Sequence, residues 1–485
     1  MSDESNQQLG ITVSKRQNMS EWYTQVVKKA GLASYAPVKG CMIIEPYGMK
    51  LWERIRDTFD DWISDEVDNA YFPLLIPESY LEREKDIVDG FDPEVAWVEK
   101  AGNDEELEER LAIRPTSESI IAPYMADTIQ SYRDLPLRLN QWSNVVRWEA
   151  TDTRPFLRTR EFLWQEGHTA HASKEAADEE MYTRLDQYAR LYEDIMAVPV
   201  LEGKKPEHDK FPGADMTTTV EALMPDGKSI QGGTSHNLGQ SFSEAFDITY
   251  EDEQQQTQHP YTCSWGLSTR AIGALIMAHG DDDGLVLPPE VAPIEVVIVP
   301  IMTGDGTDDD VLAYGDEIEE ELAGFRTEYD DDQHKTPGFK FNKWELKGVP
   351  LRIEIGPREM DDEEVTLVRR DTGEELTITI EDLTETVEEQ LEDIQVALFE
   401  NLKDYRDDHI TRAESYEEIL ERIGRKRGYV TCAWCGDEQC EAEVKDQIAA
   451  EIVMVPFEDE REEIEGSCAI CGEEAVEIAY FAKNY

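Results

Sequence analysis

The sequence predicts a multidomain protein that combines an α+β part with an α/β part. Three observations support this fold class. In the first 280 residues, short strand-like segments separated by turns are flanked by helices, which is typical of an antiparallel sheet. After residue 293, apolar strands alternate with helices, as in a small domain with a mixed or parallel sheet. Five of the seven cysteines follow residue 431, which indicates a third unit.

The composition indicates a globular protein with a strongly acidic surface. The 485 residues are enough for about three domains. The 107 acidic and 46 basic residues give a net charge of −61, and the acidic residues are dispersed over helix faces and loops. We interpret this dispersed charge as adaptation to a cytoplasm of molar salt, where the screening length falls to roughly 3 Å. The charge alone neither indicates nor excludes binding to nucleic acid.

The sequence gives no sign of a membrane partner. The first ten residues are polar and lack the apolar core of a signal peptide. No segment approaches the ~20 apolar residues that span a bilayer. We therefore expect a cytoplasmic location.

The elements of the first domain follow from hydrophobic periodicity. A short helix is predicted at 17–30, and a strong amphipathic helix at Tyr47–Ala70, with an apolar stripe that ends at Val67. The next segment, Ala70–Pro77, reads as a buried strand. The later elements predicted here are a helix at Lys174–Met196, strands at 216–223, 228–236 and 246–250, and a helix at Ser268–His279.

The pattern changes at residues 280–293, which are rich in Asp, Gly and Pro. The elements predicted beyond them are strands at 294–301, 351–355 and 376–380 and helices near 308–323 and 381–407. We therefore predict domains at 1–285, 286–408 and 409–485.

Residues 144–169 contain a cluster of cations that contrasts with the acidic chain. Guanidinium groups bind phosphate oxygens two at a time and stay charged at all physiological pH values. The segment is therefore a candidate polyphosphate site, the alternative being a salt-bridged surface loop. Its charged residues are Arg147, Glu149, Arg154, Arg158 and Arg160.

The clustered cysteines have the spacing of metal ligands. Cys432-x2-Cys435-x4-Cys440 is followed by Cys468-x2-Cys471. Two close pairs supply the four soft ligands of a tetrahedral zinc site, and this spacing in a cytoplasmic protein favours metal over disulfides. Five candidates leave two pairings open, with either Cys432 or Cys440 joining Cys435. Five free thiols without metal are the third possibility.

Three separated segments together resemble motifs 1, 2 and 3 of the class II aminoacyl-tRNA synthetases. They are the helix and strand that end at Pro77, the arginine segment 144–169, and GLSTRAIGALIMAH at 266–279. Within that family, RPTSES (114–119), FLWQEGHT (162–169) and QGGTSHNLGQSFSEAFDI (231–248) resemble prolyl-tRNA synthetases of the archaeal and eukaryotic type. A threonyl enzyme carries a cysteine metal ligand where this chain has Thr116-Ser117-Glu118.

The resemblance implies a fold, an activity and partners. It implies a class II catalytic core with an antiparallel sheet, an α/β anticodon-binding domain and a small zinc-binding C-terminal α/β domain. The implied activity is ATP-dependent activation of L-proline to prolyl-adenylate and transfer of the prolyl group to tRNA(Pro). Magnesium would accompany ATP, motif 1 would form a homodimer interface, and no editing domain is expected between motifs 2 and 3. A synthetase-like binding protein, or a synthetase for another small amino acid, remains the alternative.

The resemblance also implies roles for individual residues. The two catalytic arginines are Arg147 and Arg270. The implied ATP contacts are Arg147, Glu149, Arg158, Thr159, Gln231, Thr234, Ser268 and Arg270. The implied proline contacts are Thr116, Glu118, Arg147, Trp164, Glu166, His168 and His236. The implied zinc ligands are Cys435, Cys440, Cys468 and Cys471, with Cys432 left over. The implied tRNA contacts are Lys347, Arg352 and Arg358, and Tyr485 is either docked near the active site or frayed.

Overall fold

The computed structural model of the protein describes residues 10–87, 94–102, 105–304, 306–426, 428–458, 461, 463–464 and 466–485. The first nine residues, used above in the argument against a signal peptide, lie outside this set. The helices are α1 (Met19–Lys29), α2 (Pro46–Ile63), α3 (Glu78–Ile87), α4 (Glu118–Thr128), α5 (Lys174–Arg190), α6 (Ser241–Ala245), α7 (Arg270–His279), α8 (Asp308–Glu321), α9 (Pro337–Leu346), α10 (Pro357–Asp362), α11 (Leu383–Asp408), α12 (Tyr416–Lys426) and α13 (Glu438–Ile448).

Strands outnumber helices among the described residues. Those before residue 280 are β1 (Ala33–Tyr35), β2 (Met42–Ile44), β3 (Asp68–Asn69), β4 (Leu75–Pro77), β5 (Trp97–Lys100), β6 (Glu106–Ile113), β7 (Leu137–Val146), β8 (Glu161–His171), β9 (Val200–Lys204), β10 (Met216–Leu223), β11 (Lys228–Gly239), β12 (Tyr250–Glu251), β13 (Thr257–Gln258) and β14 (Tyr261–Ser268). The later ones are β15 (Val296–Pro300), β16 (Thr327–Tyr329), β17 (Leu351–Ile355), β18 (Glu364–Arg369), β19 (Glu375–Thr379), β20 (Ile410–Arg412), β21 (Tyr429–Trp434), β22 (Glu451–Met454) and β23 (Glu477–Asn484).

A large sheet carries the first part of the chain, and its core is antiparallel as predicted. Strands β7, β8, β14, β11, β10 and β9 are neighbours in that order, and every pair among them is antiparallel. Helices α2, α5 and α7 bury their apolar faces against it. The ring of Phe59 from α2 stacks on that of Tyr188 from α5, with centroids 5.2 Å apart. The strands therefore form a rigid floor whose other face is free to carry a site.

The C-terminal strands extend this sheet. β23 pairs antiparallel with β21 and β22, and its last residues run parallel to the start of β11. Two residue pairs make that junction, Lys228 with Lys483 and Ser229 with Asn484. The predicted third unit is thus joined to the first by backbone hydrogen bonds.

A separate five-stranded sheet contains the middle of the chain. Its order is β16-β15-β17-β18-β19, parallel across the first three strands and antiparallel across the rest. The prediction of an α/β unit with a mixed sheet is confirmed. Buried Val and Ile side chains of β15 form its centre, and α11 covers it with Leu383, Val387, Leu391 and Ile394.

Two predicted elements were wrong. The helix predicted to reach Ala70 ends at Ile63, and the expected buried strand 70–77 is reduced to β4. Val67 is buried beyond the end of the helix, because the chain turns at residues 64–66 and then pairs β3 with β7. Tyr71 is 73% exposed, so the segment before β4 is not a core strand.

The strand predicted at 246–250 was also wrong. Only Tyr250 belongs to a strand, β12, and the short helix α6 occupies the preceding residues. Asp247 has φ of 55°, a left-handed conformation that interrupts an extended strand. The amide of Ile248 donates to the carbonyl of Ser243 and closes this turn.

Candidate active site

A cavity of about 530 Å³ lies on the free face of the large sheet. Because side chains alternate between the two faces of a strand, β8 presents every second residue to it: Trp164, Glu166 and His168. The strand register then sets their neighbours. His168 lies opposite Ser264 of β14, and Ser264 lies opposite His236 of β11. The predicted residues of three distant segments are therefore held in fixed rows.

Two guanidinium groups from different elements meet in this cavity. Arg147 follows the end of β7, and Arg270 is the first residue of α7. The Nε atom of Arg270 donates to the carbonyl of Leu157 at 3.1 Å, which fixes the side chain. Burial lowers the pKa of Arg270, and electrostatic repulsion by the nearby charge of Arg147 lowers it further. This arrangement suits a ligand with several negative charges.

A second cluster in the cavity is acidic and hydrogen-bonded. The Oε1 atom of Glu166 accepts hydrogen bonds from Ser117 and Gln141, and its Oε2 atom lies 3.2 Å from Nε2 of His168. Among the residues that the structure describes, the carboxylate of Glu118 accepts one side-chain hydrogen bond, from the hydroxyl of Thr116 to Oε2. Glu166 is thus engaged by protein groups on both oxygens, whereas Glu118 keeps an oxygen for a ligand.

The surroundings of the two cavity histidines shift their pKa values in opposite directions. Burial opposes a charge on His168, but the hydrogen bond to Glu166 and the charges of Glu118 and Glu166 outweigh it and raise its pKa. Burial, His168 and Arg147 lower the pKa of His236 to about 3. The hydroxyl of Thr217 lies 2.9 Å from Nδ1 of His236 and also accepts the amide hydrogen of Phe211. Thr217 therefore links the ring of His236 to the backbone of Phe211.

Most of the predicted substrate contacts line this one cavity. Those that do are Thr116, Glu118, Arg147, Trp164, Glu166, His168, Gln231, Thr234, His236, Ser268 and Arg270. Glu149 and Arg158 are exposed on the loop between β7 and β8, outside the lining. Thr159 is buried in that loop and donates to the carbonyl of Glu161 at 2.7 Å.

Sequence reasoning missed one wall of the cavity. The segment 205–212 contributes several lining residues, among them Phe211, whose ring lies 4.9 Å from that of His236. This segment is irregular, contains Lys and Pro, and has no hydrophobic periodicity, so the sequence alone does not indicate that it lines a cavity. Tyr485 also lines the cavity, and its hydroxyl donates to Asp226. Of the two alternatives for Tyr485, the docked one is confirmed.

The cysteine cluster has the geometry of a tetrahedral metal site. The sulfur atoms of Cys435, Cys440, Cys468 and Cys471 all lie within 4.8 Å of one another. The Cys435 sulfur is 3.6 Å from that of Cys440 and 3.6 Å from that of Cys471. Tetrahedral zinc–thiolate bonds place sulfurs about 3.8 Å apart, so this donor set fits zinc.

The fifth cysteine stays apart from the cluster. Cys432 is fully buried on β21, within the apolar core of the C-terminal unit. Burial favours the neutral thiol of Cys468, but backbone amides of Cys471, Ile470 and Cys435 outweigh it and lower its pKa to about 7. The geometry favours the pairing that excludes Cys432.

The predicted RNA-contacting cations differ in exposure. The side chain of Arg358 is 79% exposed, with a single long ion pair to Asp362. Arg352 is held by Glu345 and Glu354 and is 13% exposed. The ammonium of Lys347 lies over the ring of Tyr47, at 4.2 Å from its centroid. Trp344, next to these cations, is buried, and its indole nitrogen donates to Asp330.

Within the described residues, no helix combines the length and the apolar character that crossing a bilayer demands. The longest of them, α11, carries acidic residues throughout.

Sequence profiles of three known domains match the chain in order. Residues 97–279 match the class II core domain of tRNA synthetases for G, H, P, S and T, and residues 295–390 match an anticodon-binding domain. Residues 416–485 match the C-terminal domain of prolyl-tRNA synthetase. Together the three matches cover all three predicted units.

Whole-chain relatives agree with these matches. The chain is 59% identical to proline–tRNA ligase from Natronomonas pharaonis over 482 residues, which cover 99% of this chain and 100% of the relative. It is also 59% identical to the ligase of Haloarcula marismortui, over 99% of both chains. These relatives come from halophilic archaea, in keeping with the acidic composition.

Solved structures give the same result. The structure of prolyl-tRNA synthetase from Cryptosporidium parvum, complexed with halofuginone and AMPPNP, is 41% identical with a TM-score of 0.93, covering 99% of this chain and 100% of that one. The same enzyme complexed with L-proline and AMP has a TM-score of 0.91 at 40% identity, with the same coverage. The protein is a ligase that uses ATP to join proline to tRNA, and between β8 and β14 it has core strands and helix α5 where an editing insertion would lie. By its sequence, its fold and the composition of its cavity, the chain belongs to the prolyl-tRNA synthetase family.

Proposed function

We propose that the cavity binds ATP and proline side by side, with Arg147 between them. The convergence of Arg147 and Arg270 on one cavity is the observation that carries this proposal. The carboxylate of proline attacks the α-phosphorus of ATP, and pyrophosphate leaves. Little covalent work falls to the protein, so positioning and neutralisation of charge must lower the barrier.

The ATP contacts follow from that arrangement. Arg147 bridges the α-phosphate and the carboxylate of proline, and Arg270 lies along the γ-phosphate with Ser268 beside it. Gln231 and Thr234 contact the ribose or the adenine. On the loop between β7 and β8, Glu149 holds the adenine amino group, and Arg158 and Thr159 meet the outer phosphates and base. Bound ATP would bring magnesium, which would supply neutralisation of the phosphate charge.

The proline contacts occupy the other end of the cavity. Glu118 accepts from the secondary ammonium of proline, because one of its oxygens is free of protein donors. Trp164 forms an apolar wall beside Thr116. Glu166 and His168 act as a hydrogen-bonded pair that shapes the floor. His236 completes this end of the cavity beside the ring of Phe211.

The remaining proposals concern partners and organisation. tRNA(Pro) contacts the second unit through Lys347, Arg352 and Arg358, of which Arg358 is the most accessible. Cys435, Cys440, Cys468 and Cys471 hold a structural zinc ion. A homodimer forms over motif 1, where the apolar side chains of Tyr71 and Leu75 are exposed. The units are 1–285, 286–408 and 409–485, and the protein works in the cytoplasm.

Amino-acid-dependent ATP–pyrophosphate exchange tests the proposal. Assayed with all twenty amino acids, the protein should exchange with proline. Arg147→Ala should lower exchange by at least a thousandfold, because it removes a charge-assisted contact made to the reacting phosphate. Near-normal exchange in Arg147→Ala would remove this residue from the proposed role. Exchange with no amino acid would indicate a binding protein instead.

A further inference from the structure

The C-terminal unit makes a contact with the substrate cavity that the proposed chemistry does not use. The imidazole of His208 is hydrogen-bonded through Nε2 to Oε2 of Glu441. His208 belongs to the segment 205–212 that forms one wall of the cavity, whereas Glu441 is on α13, next to Cys440 of the cysteine cluster. The ring of His208 also lies edge-on to that of Trp434, with centroids 6.3 Å apart. His208 does not line the cavity itself, but it directly precedes the lining residues 209–212 and is held between two residues of the other unit.

Glu441 is itself fixed by its surroundings. Its side chain is only 10% exposed, and its other oxygen, Oε1, accepts the amide hydrogen of Ile452 at 2.8 Å. Ile452 lies in β22, which pairs with β23. The carboxylate therefore presents Oε2 to His208 from a rigid helix and strand, not from a mobile surface side chain.

The residues just before His208 are attached to the same unit. The backbone of Lys204 exchanges two hydrogen bonds with that of Val455, each of 2.8 Å. The ammonium of Lys205 donates to the carbonyl of Val453 at 2.9 Å and pairs with Glu221 at 3.3 Å. These bonds anchor the start of the wall, and the bond between His208 and Glu441 anchors the chain just before the lining residues 209–212.

The residues after His208 reach the proposed proline subsite directly. Phe211 packs on the ring of His236, and its amide donates to the hydroxyl of Thr217, which is hydrogen-bonded to Nδ1 of His236. Any displacement of Phe211 would therefore disturb both the apolar wall and the hydrogen bonding of His236. Only two residues separate His208 from Phe211, so the position of Phe211 is controlled closely by where His208 is held.

We propose that His208 is a positioning residue for proline: its bond to Glu441 lets the C-terminal unit hold the wall 205–212 in the conformation that binds the amino acid. The proposal rests on the assignment of proline to this end of the cavity. It assigns no chemical step to His208 and no contact with ATP. Loss of the bond should therefore weaken proline binding while the ATP side of the cavity stays intact.

The test compares four single variants and one double variant of the protein at constant salt. His208→Ala removes the bond, and His208→Gln keeps a donor. Glu441→Gln removes the carboxylate, and Glu438→Gln changes an exposed acid on the first turn of the same helix as a matched control. Proline dissociation constants are measured by calorimetry without ATP, and KM for proline and for ATP by pyrophosphate exchange. Unfolding midpoints show whether each variant is folded.

His208→Ala should raise both the proline dissociation constant and the proline KM about tenfold, as expected for one lost hydrogen bond to a charged group. The ATP KM and kcat should stay within about twofold. His208→Gln should recover most of the affinity, and His208→Ala combined with Glu441→Gln should be no worse than the weaker single variant, because the two side chains act as one unit. Because Glu441 is buried, its variant counts only if it folds; His208→Ala decides alone otherwise.

Unchanged proline binding in folded His208→Ala, equal to that of Glu438→Gln, would overturn the proposal. A uniform loss of ATP and proline binding would do so too, because it would indicate general destabilisation. Glu118→Ala separates this failure from failure of the proline subsite. If Glu118→Ala also leaves proline binding unchanged, the subsite itself is assigned wrongly.

Discussion

Arg370 donates two hydrogen bonds, of 2.7 and 2.6 Å, to the carboxylate of Asp281. Asp281 lies two residues after α7, the helix that begins with Arg270, and Arg370 follows strand β18 of the five-stranded sheet. The same carboxylate accepts the backbone amides of Asp283 and Gly284. The anticodon-binding part of the chain is thus attached to the far end of the helix that carries an arginine of the active site.

Arg370→Ala should destabilise the protein more than the removal of one exposed surface charge would. The side chain of Arg370 is 8% exposed, so its loss leaves the Asp281 carboxylate without its main partner. Asp281 is 42% exposed, and water replaces part of the interaction. We expect a loss of about 2 kcal/mol in free energy of unfolding, below the range for a fully buried pair. The measurement is urea unfolding at constant salt.

Arg358→Ala is the matched control for that experiment. Its side chain is mostly exposed and its partner Asp362 is 4.0 Å away, so we expect a change within about 0.5 kcal/mol. Equal effects of the two variants would show that the Arg370–Asp281 pair contributes no special stability.

Glu118 and Glu166 should respond differently to replacement by glutamine. Glu118→Gln should raise the KM for proline tenfold or more and leave the ATP KM nearly unchanged, because a free carboxylate oxygen faces the substrate. Glu166→Gln should lower stability by about 2–3 kcal/mol, since Ser117, Gln141 and His168 all bond its oxygens. Pyrophosphate exchange and denaturant unfolding measure the two effects. If Glu118→Gln lowered stability and Glu166→Gln raised the KM for proline, the roles of the two carboxylates would be the reverse of those proposed.

The cysteine cluster should hold one zinc ion per chain. Serine replacement of Cys435, Cys440, Cys468 or Cys471 should remove the metal, because the four sulfurs form one compact set. Cys432→Ser should keep it, since Cys432 is buried in the apolar core outside the set. Metal analysis by mass spectrometry on the purified variants gives the result. Zinc retained by Cys440→Ser and lost from Cys432→Ser would establish the other pairing.

Acid should destabilise the fold through histidines that are buried in neutral form. Burial lowers the pKa of His279 to about 4, and that of His171 likewise. Between pH 6.5 and 4 the unfolded chain binds a proton at each, and the folded chain does not. The free energy of unfolding therefore decreases as the pH decreases from 6.5 to 4, by up to about 1.4 kcal/mol per pH unit for each histidine.

His279→Gln tests that origin of the acid sensitivity. The ring nitrogen Nε2 of His279 is 2.9 Å from the carbonyl of Met196, and a glutamine amide can still donate there. The variant should show a shallower dependence of stability on pH between 6.5 and 4, by about one proton. A slope identical to that of the parent protein would mean that other groups bind the proton on unfolding.

The sequence alone predicted those site residues whose polar side chains lie on a strand or helix with a clear hydrophobic periodicity. The alternation Trp164, Glu166, His168 on β8 and the helix that begins at Arg270 both carry a local pattern. The wall formed by the segment 205–212 has no such local pattern, because the positions of His208 and Phe211 depend on contacts with residues far away in the chain. Contacts between distant residues also explain why α2 is shorter than predicted. Val67 continues the apolar stripe of α2, but it is buried beyond the end of the helix. The distinction between a free Glu118 and an occupied Glu166 also needs coordinates, since both are simply acidic in the sequence.

The junction of β23 with β11 makes the large sheet depend on residues far along the chain. β23 is the neighbour of β21, of β22 and of the start of β11. Truncation before residue 477 would remove this neighbour from all three strands at once. Their unpaired backbone groups would be open to pairing with other chains, so we expect the truncated protein to aggregate.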